Sequence, residues 1–299
     1  MTAQQKVSAI APACRSCVKD QALSAARFAH LNEQQTDKVL AVVKKQLALS
    51  ETRPIIVQHI VRMVADAIIN ELSAPDDFDI YAQVKAHSNQ LASDYAGVFQ
   101  QQIEQSESPI DKAIQIAAAG NIIDFGAKSH GEIDIQQELE TLNKTGFKRY
   151  DIDAFKSRLA EAESLLYICD NSGEIVCDQL FIKQLKKEYP ALTITAAVRE
   201  KPIINDATLK DAQQTGLTDV VPVISSGSIY PGTILNETRS EFLHLYKNAD
   251  VVLSKGQGNF ETLLPVADER LFFLLRIKCE AMAKLSAVQV GSLVLMQRG

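Results

Sequence analysis

The sequence has no apolar run approaching the roughly 18 to 20 residues that a membrane-spanning helix needs, and no basic start leading into an apolar core of the kind that marks a secretory leader. The expectation is a soluble, cytoplasmic protein with no membrane partner. It also lacks a Lys and Arg run long enough to track a phosphate backbone, and its formal net charge is -6, so nucleic acid is not an expected partner. Cysteine is sparse, with 5 in 299 residues. That odd number without a leader argues for reduced thiols rather than a disulfide framework. There is no internal repeat and no low-complexity segment.

What is present is enough apolar material for a sizeable core: 46% of residues are hydrophobic and 23% charged. The length suits more than one ordinary domain and not more than two. The first half has helical spacing throughout. Val18, Ala22, Ala25, Ala26 and Ala29 mark one face between Cys14 and Leu31, and Ile60, Val64, Ile68 and Leu72 mark another after Pro54. Tyr81 to Glu104 continues in helical period, and Ser108-Pro109-Ile110-Asp111 reads as a further helix start leading to Gly120.

From Leu165 onward short apolar runs alternate with helical segments. Strands are expected at Leu165–Cys169, Leu192–Val198, Val220–Ile224, Val251–Ser254, Leu271–Ile277 and Leu293–Met296, and helices at Glu174–Lys187, Ala207–Thr215, Leu235–Lys247 and around Cys279–Ala283. Such alternation means βαβ units. The fold class is α/β, with a mainly helical N-terminal domain over residues 1–148 followed by a Rossmann-like, mostly parallel α/β sheet domain over residues 149–299.

In an open parallel sheet, ligands bind beyond the carboxyl ends of the strands. Polar residues cluster at just those places: Asp170-Asn171-Ser172-Gly173-Glu174, then Arg199-Glu200-Lys201 with Asn205-Asp206-Ala207-Thr208, then Ser225-Ser226-Gly227-Ser228, then Lys255-Gly256-Gln257-Gly258-Asn259. Two Asp and one Asn supply hard oxygen ligands suited to Mg²⁺ or Mn²⁺. The serine-glycine and lysine-glycine turns add N–H groups, hydroxyls and an ammonium that suit a phosphate. Each feature also has a plainer reading: Asp170-Asn171 and Asp206 are common helix caps, and Gly256 and Gly258 lack P-loop spacing. It is the combination across four strand ends that points to chemistry.

Taken in order, Cys14-Arg15-Ser16-Cys17 with Gln21, Ala119-Gly120-Asn121 with Ile123-Asp124-Phe125-Gly126, Asp170-Asn171-Ser172-Gly173-Glu174, Asn205-Asp206-Ala207-Thr208 and Lys255-Gly256-Gln257-Gly258-Asn259-Phe260-Glu261 resemble the metal-dependent damage-control phosphatases, in their prokaryotic Cys-x-x-Cys branch. The resemblance implies a divalent metal, Mg, Mn, Co or Ni, held by Asp170, Asn171 and Asp206. It implies catalytic roles for Asp170, Asp206 and Lys255, with Lys255 on the phosphate of a small phosphorylated metabolite. Asn121 and Asp124 would close the cleft over a substrate that also meets Ser226, Gly227 and Asn259. Ser172 stands where Ala is frequent.

Phosphoryl transfer is mostly positioning and charge neutralisation, so a metal and a lysine on the phosphate are chemically sufficient in kind. The attacking group is either a metal-activated water or the Asp170 carboxylate. Cys14 and Cys17, three residues apart, are open to three readings: buried thiols, a zinc half-site or a redox pair. The competing functions are a non-catalytic metal- or metabolite-binding protein and an S-adenosylmethionine-dependent methyltransferase. The methyltransferase would want a glycine-rich first turn and an acidic residue at the end of the second strand. The chain has one glycine there, Gly173, and Arg199 at the second strand end. The oligomeric state is open.

Overall fold

A computed structural model describes residues 10–120 and 146–299. By packing, the chain divides into two compact units. One comprises the described residues up to Tyr81 with two short returns, Lys201–Ile204 and Ile229–Pro231; the other holds the remaining described residues from Ala82 onward. The helices between Ala82 and Ala119, which the sequence reading places in the helical half, pack with the sheet.

The first unit is built on α1 (Pro12–Phe28), α2 (Glu33–Leu49) and α3 (Val57–Leu72). Val18, Ala22 and Ala25 of α1 meet Val39 and Val43 of α2 and Ile60, Val64 and Ile68 of α3, as the spacing predicts. Pro12 opens α1 in the first turn, where its missing N–H costs nothing. Asn32 and Gln35 cap α2 reciprocally, each side chain bonding the other's backbone N–H at 3.0 Å. The third helix begins at Val57 rather than at Ile55 directly after Pro54; the N–H of Ile56 is taken by His59 Nδ1 at 3.3 Å. Tyr81 closes this core, its hydroxyl accepting from Gln21 Nε2 at 3.0 Å. Burial pushes its phenol up to about 12. Because the unfolded phenol ionises near 10 while the folded one holds its proton, the stability linked to Tyr81 is intact below pH 10 and is lost as pH rises towards 12. Tyr150, Tyr167, Tyr189 and Tyr246 are raised as well, so tyrosinate absorbance should show several groups titrating late until the protein unfolds, and the loss of one of them in Tyr81→Phe identifies the residue.

The second unit carries a seven-stranded sheet in the order β1-β7-β6-β5-β2-β3-β4. The strands are β1 (Phe147–Tyr150), β2 (Ser164–Ile168), β3 (Thr193–Val198), β4 (Val223–Ser225), β5 (Val251–Lys255), β6 (Leu271–Arg276) and β7 (Leu293–Gln297). All neighbours run parallel except β6 and β7, which are antiparallel. Period-two alternation sorts the side chains into two cores. Leu165, Tyr167, Val251, Leu253, Phe272 and Leu274 share one with α4 (Ala82–Glu104), α5 (Pro109–Ala119), α6 (Ile152–Glu161), α7 (Glu174–Glu188) and α8 (Leu209–Gln214). Leu166, Ile168, Val252, Phe273 and Leu275 share the other with α9 (Ser240–Asn248), α10 (Gln257–Leu263) and α11 (Glu280–Ser286). The unit is therefore a three-layer α/β/α sandwich. The pairs β1/α6 and the short α10 have no counterpart in the sequence reading, and the helix expected from Leu235 is a single 3₁₀ turn, Leu235–Glu237, before α9. No helix among the described residues is long and apolar enough to cross a membrane.

Strand order positions the site. From β2 the chain winds to β3 and β4 on one side, then returns to β5 and β6 on the other. The reversal lies between β2 and β5, and it is at such a reversal that open α/β sheets bind ligands beyond the strand ends. Asp170 follows β2 and Gly256 follows β5.

Candidate active site

Asp170 and Asn171 leave β2 into a turn whose Gly173 has φ 77° and serves as the N-cap of α7, which has no side-chain cap. Neither Asp170 nor Asn171 is therefore occupied as a cap. Asn171 Nδ2 donates to Asp170 Oδ2 at 2.9 Å and to Glu174 Oε2 at 3.4 Å. Asp206 is likewise no cap: α8 begins at Leu209, and Asp211 Oδ2 accepts from the Thr208 N–H at 2.9 Å and hydroxyl at 2.7 Å. The two loops are laced together by backbone. Ala207 N–H donates to the Asp170 carbonyl at 2.7 Å, Ser172 N–H donates to the Asn205 carbonyl at 2.9 Å, and Asn171 and Asp206 face each other as an isolated antiparallel bridge.

This lacing forces Asp170 and Asp206, 7% and 1% exposed, into one buried space. Burial, then the Asp206 and Glu174 charges, push the Asp170 carboxyl well above the usual range, with Arg199 opposing. Asp206 is also raised, by burial, against the pull of Arg199 and Lys85. Arg199 is the cation of this group. Its Nε donates to Asp206 Oδ2 at 2.6 Å, its Nη2 lies 3.6 Å from Asp170 Oδ1, and its Nη1 donates to Thr233 Oγ1 at 3.0 Å. Thr233 passes the bond on to Asn259 Oδ1 at 2.8 Å, and Asn259 Nδ2 holds the Lys255 and Cys169 carbonyls at 2.8 and 3.2 Å. Asn259 thus ties the ends of β2 and β5 together. A Cβ at Gly256 would overlap the Asp170 carboxylate, so β5 can pass beneath that side chain only as glycine.

Lys255 is fully buried, and its ammonium meets Glu174 Oε1, Asp178 Oδ1 at 2.6 Å and the Ala117 carbonyl at 3.0 Å. Its three protons have protein acceptors. Burial alone would lower the ammonium, yet Asp178 and Glu174 outweigh it and hold the group above the usual lysine range. Asp178, which also accepts from the Tyr167 hydroxyl at 2.6 Å, is raised by burial to about 6. Ser226 and Gly227 form a turn closed on itself: Ser226 N–H donates to the Val198 carbonyl at 2.8 Å and Gly227 N–H to Ser225 Oγ at 3.1 Å. Ser172 Oγ has no hydrogen-bond partner among the described residues, consistent with a position that Ala can fill. Asn121 and Asp124 lie outside the described residues.

The structure therefore brings Asp170, Asn171, Asp206 and, through Thr233, Asn259 into one network, and links Lys255 to it through Glu174. Arg199, Glu174, Asp178 and Thr233 were not among the expected site residues. A signal existed for two of them. Glu174 and Asp178 stand one turn apart amid Ile175, Val176 and Cys177, and like charges on an apolar helix start demand a buried cation.

Among the described residues no three His, Cys, Asp or Glu side chains form a metal-sized group. The candidate set is two carboxylates and an amide oxygen, all hard donors. Of the four buried carboxylates, Asp170 and Asp206 pair with Arg199, and Glu174 and Asp178 with Lys255, while Lys85 and Lys278 act on Asp206 from farther off. Cys14 is half-buried and Cys17 exposed on α1.

Residues 10–294 match the model of the damage-control phosphatase ARMT1-like domain. A damage-control phosphatase of Pyrococcus horikoshii is 35% identical over 219 residues, covering 73% of this chain and 75% of that protein. A damage-control phosphatase of Archaeoglobus fulgidus is 28% identical over 288 residues, 95% of this chain and 98% of its own. An uncharacterised protein of Methanocaldococcus jannaschii is 36% identical over 229 residues, with 74% of each chain covered. The crystal structure of a DUF89 family protein from P. horikoshii superposes with a TM-score of 0.87 at 30% identity, covering 97% of this chain and 99% of that one.

Proposed function

This chain belongs to the ARMT1-like damage-control phosphatase family, and on that premise we propose that it is a divalent-metal-dependent phosphomonoester hydrolase acting on small phosphorylated metabolites. The observation that carries the reading is the enforced meeting of the buried Asp170 and Asp206 carboxylates with Asn171, the two loops being laced together by backbone bonds. Those three residues would hold the cation, which when bound supplies charge neutralisation for a phosphate ester.

The chain's own residues do the rest. Arg199 occupies one oxygen of Asp206 and leaves the other for the site. Burial of Asp170 and Asp206 excludes competing water and strengthens every charge interaction around the phosphate. Lys255 stands at the neighbouring strand end as the second cation, and it reaches a substrate phosphate by exchanging one of its three present acceptors for it. Mg, Mn, Co and Ni all suit an oxygen-rich set of this kind.

The test is a phosphatase screen over sugar phosphates and phosphorylated cofactors, after chelation and with each metal restored. Activity should return with the divalent ion and fall about a thousandfold in Asp170→Ala, with retention of the fold checked by circular dichroism. Full metal-dependent activity in that variant would sink the reading, and a phosphoenzyme mapped to Asp170 after rapid quench would assign the attack to the carboxylate itself.

A further inference from the structure

Helix α4 buries Lys85, Ser88 and Asn89 on one face, at 2%, 3% and 6% exposure. An ammonium and a carboxamide cost free energy when taken from water unless each is matched. Here the partners of Lys85 and Asn89 fall on the loop after β2 and on the first turn of α8, which follows the Asp206 loop. Asn89 Oδ1 accepts from the Gly173 N–H at 2.7 Å, in the turn that carries Asp170 and Asn171. Its Nδ2 donates to Asp211 Oδ1 at 3.2 Å. The other Asp211 oxygen accepts from Thr208, two residues beyond Asp206, and pairs with Lys85 Nζ at 2.7 Å. A single side chain on α4 thus spans the loop after β2 and the start of α8, where Asp211 holds Thr208 at the end of the Asp206 loop.

We propose that Asn89, backed by Lys85 through Asp211, is a positioning residue that fixes the separation of the Asp170-Asn171 loop from the Asp206 loop and so sets the affinity of the site for a divalent cation. The role demands an acceptor and a donor on one short side chain. Aspartate lacks the donor and would face Asp211 with like charge; leucine lacks both. The inference rests on the metal site proposed above, and its test separates the two.

Mn²⁺ is titrated calorimetrically into the full chain, wild type and Asn89→Ala, with the folded fraction measured by circular dichroism. Partners behind metal ligands are typically worth 10- to 100-fold in affinity, so the Mn²⁺ Kd should rise at least about tenfold per folded molecule. Gln90→Ala, on the exposed side of the same helix, should leave it unchanged. If Asn89→Ala does not fold, Thr208→Val, which removes only the hydroxyl bond to Asp211, should still weaken binding by a smaller factor. A folded Asn89→Ala that binds Mn²⁺ as tightly as wild type overturns the inference while leaving the metal site standing. Wild type that binds no Mn²⁺ overturns the metal site itself, and the inference with it.

Discussion

Lys255→Met is expected to destabilise the protein by about 3–5 kcal/mol, the usual cost of removing one partner from a buried ion pair. The reason is local. Glu174 and Asp178 are 1% and 0% exposed and lose the cation with which they both pair. Methionine fills the volume but donates no hydrogen bond to either carboxylate or to the Ala117 carbonyl. The penalty should depend on pH with a definite sign. Asp178 is raised to about 6 in the native protein, and without the ammonium it rises further. A carboxyl raised on folding contributes stability that is present below its unfolded value near 4 and is lost as pH climbs through the folded one. The deficit of the variant, measured by urea unfolding, should therefore be largest at pH 8 and shrink towards pH 5. A loss below about 1 kcal/mol at pH 8 would show that the pair is not the support it looks to be. Kinetic work on Lys255 has to be read against this baseline, because lost activity in a half-unfolded variant says nothing about phosphate binding.

Gly256→Ala should abolish cation binding and cost several kcal/mol of stability. The residue has φ 78° and ψ 165°, a region essentially closed to side-chain-bearing residues, where strain alone is worth about 1–3 kcal/mol. The new methyl would also sit within the Asp170 carboxylate, with the Asp170 Cβ only 2.7 Å away. The sheet cannot yield, since β5 is hydrogen-bonded to β2 and β6 on either side, so Asp170 must leave its place. Mn²⁺ calorimetry together with thermal unfolding reads both effects. Gly97→Ala is the control: it lies inside α4 with nothing within 4 Å of its would-be Cβ. It should be neutral or slightly stabilising because alanine is the better helix former. Equal behaviour of the two variants would remove the case for a steric seat at Gly256.

Much of this was legible in advance. The apolar runs at Leu165–Ile168 and Leu271–Leu275 could only be strands buried on both faces, and the polar groups at their ends followed from that. The pair β1/α6 was missed because Phe147-Lys148-Arg149-Tyr150 is a half-exposed edge whose pattern carries little apolar signal. Helix α10 was missed because its glycines read as a loop, whereas the helix starts at Gln257 directly after the turn that Gly256 makes. Arg199 went unweighed as a site residue, since nothing local distinguishes an arginine at a strand end in solvent from one that is 1% exposed between two carboxylates.

The sequence by itself determined the α/β class and the family resemblance, and it singled out Asp170, Asn171 and Asp206 as the proposed ligand set, because strand burial and ligand type are properties of residues and their neighbours along the chain. Tertiary structure alone decided which charges share a space: that Lys255 answers to Glu174 and Asp178, that Arg199 bridges Asp170 and Asp206, and that Asn89 reaches Gly173 from a helix more than eighty residues upstream. Those pairings depend on the strand order that sets β2 between β5 and β3. Charge interactions act through distance in space, about which spacing along the chain is silent.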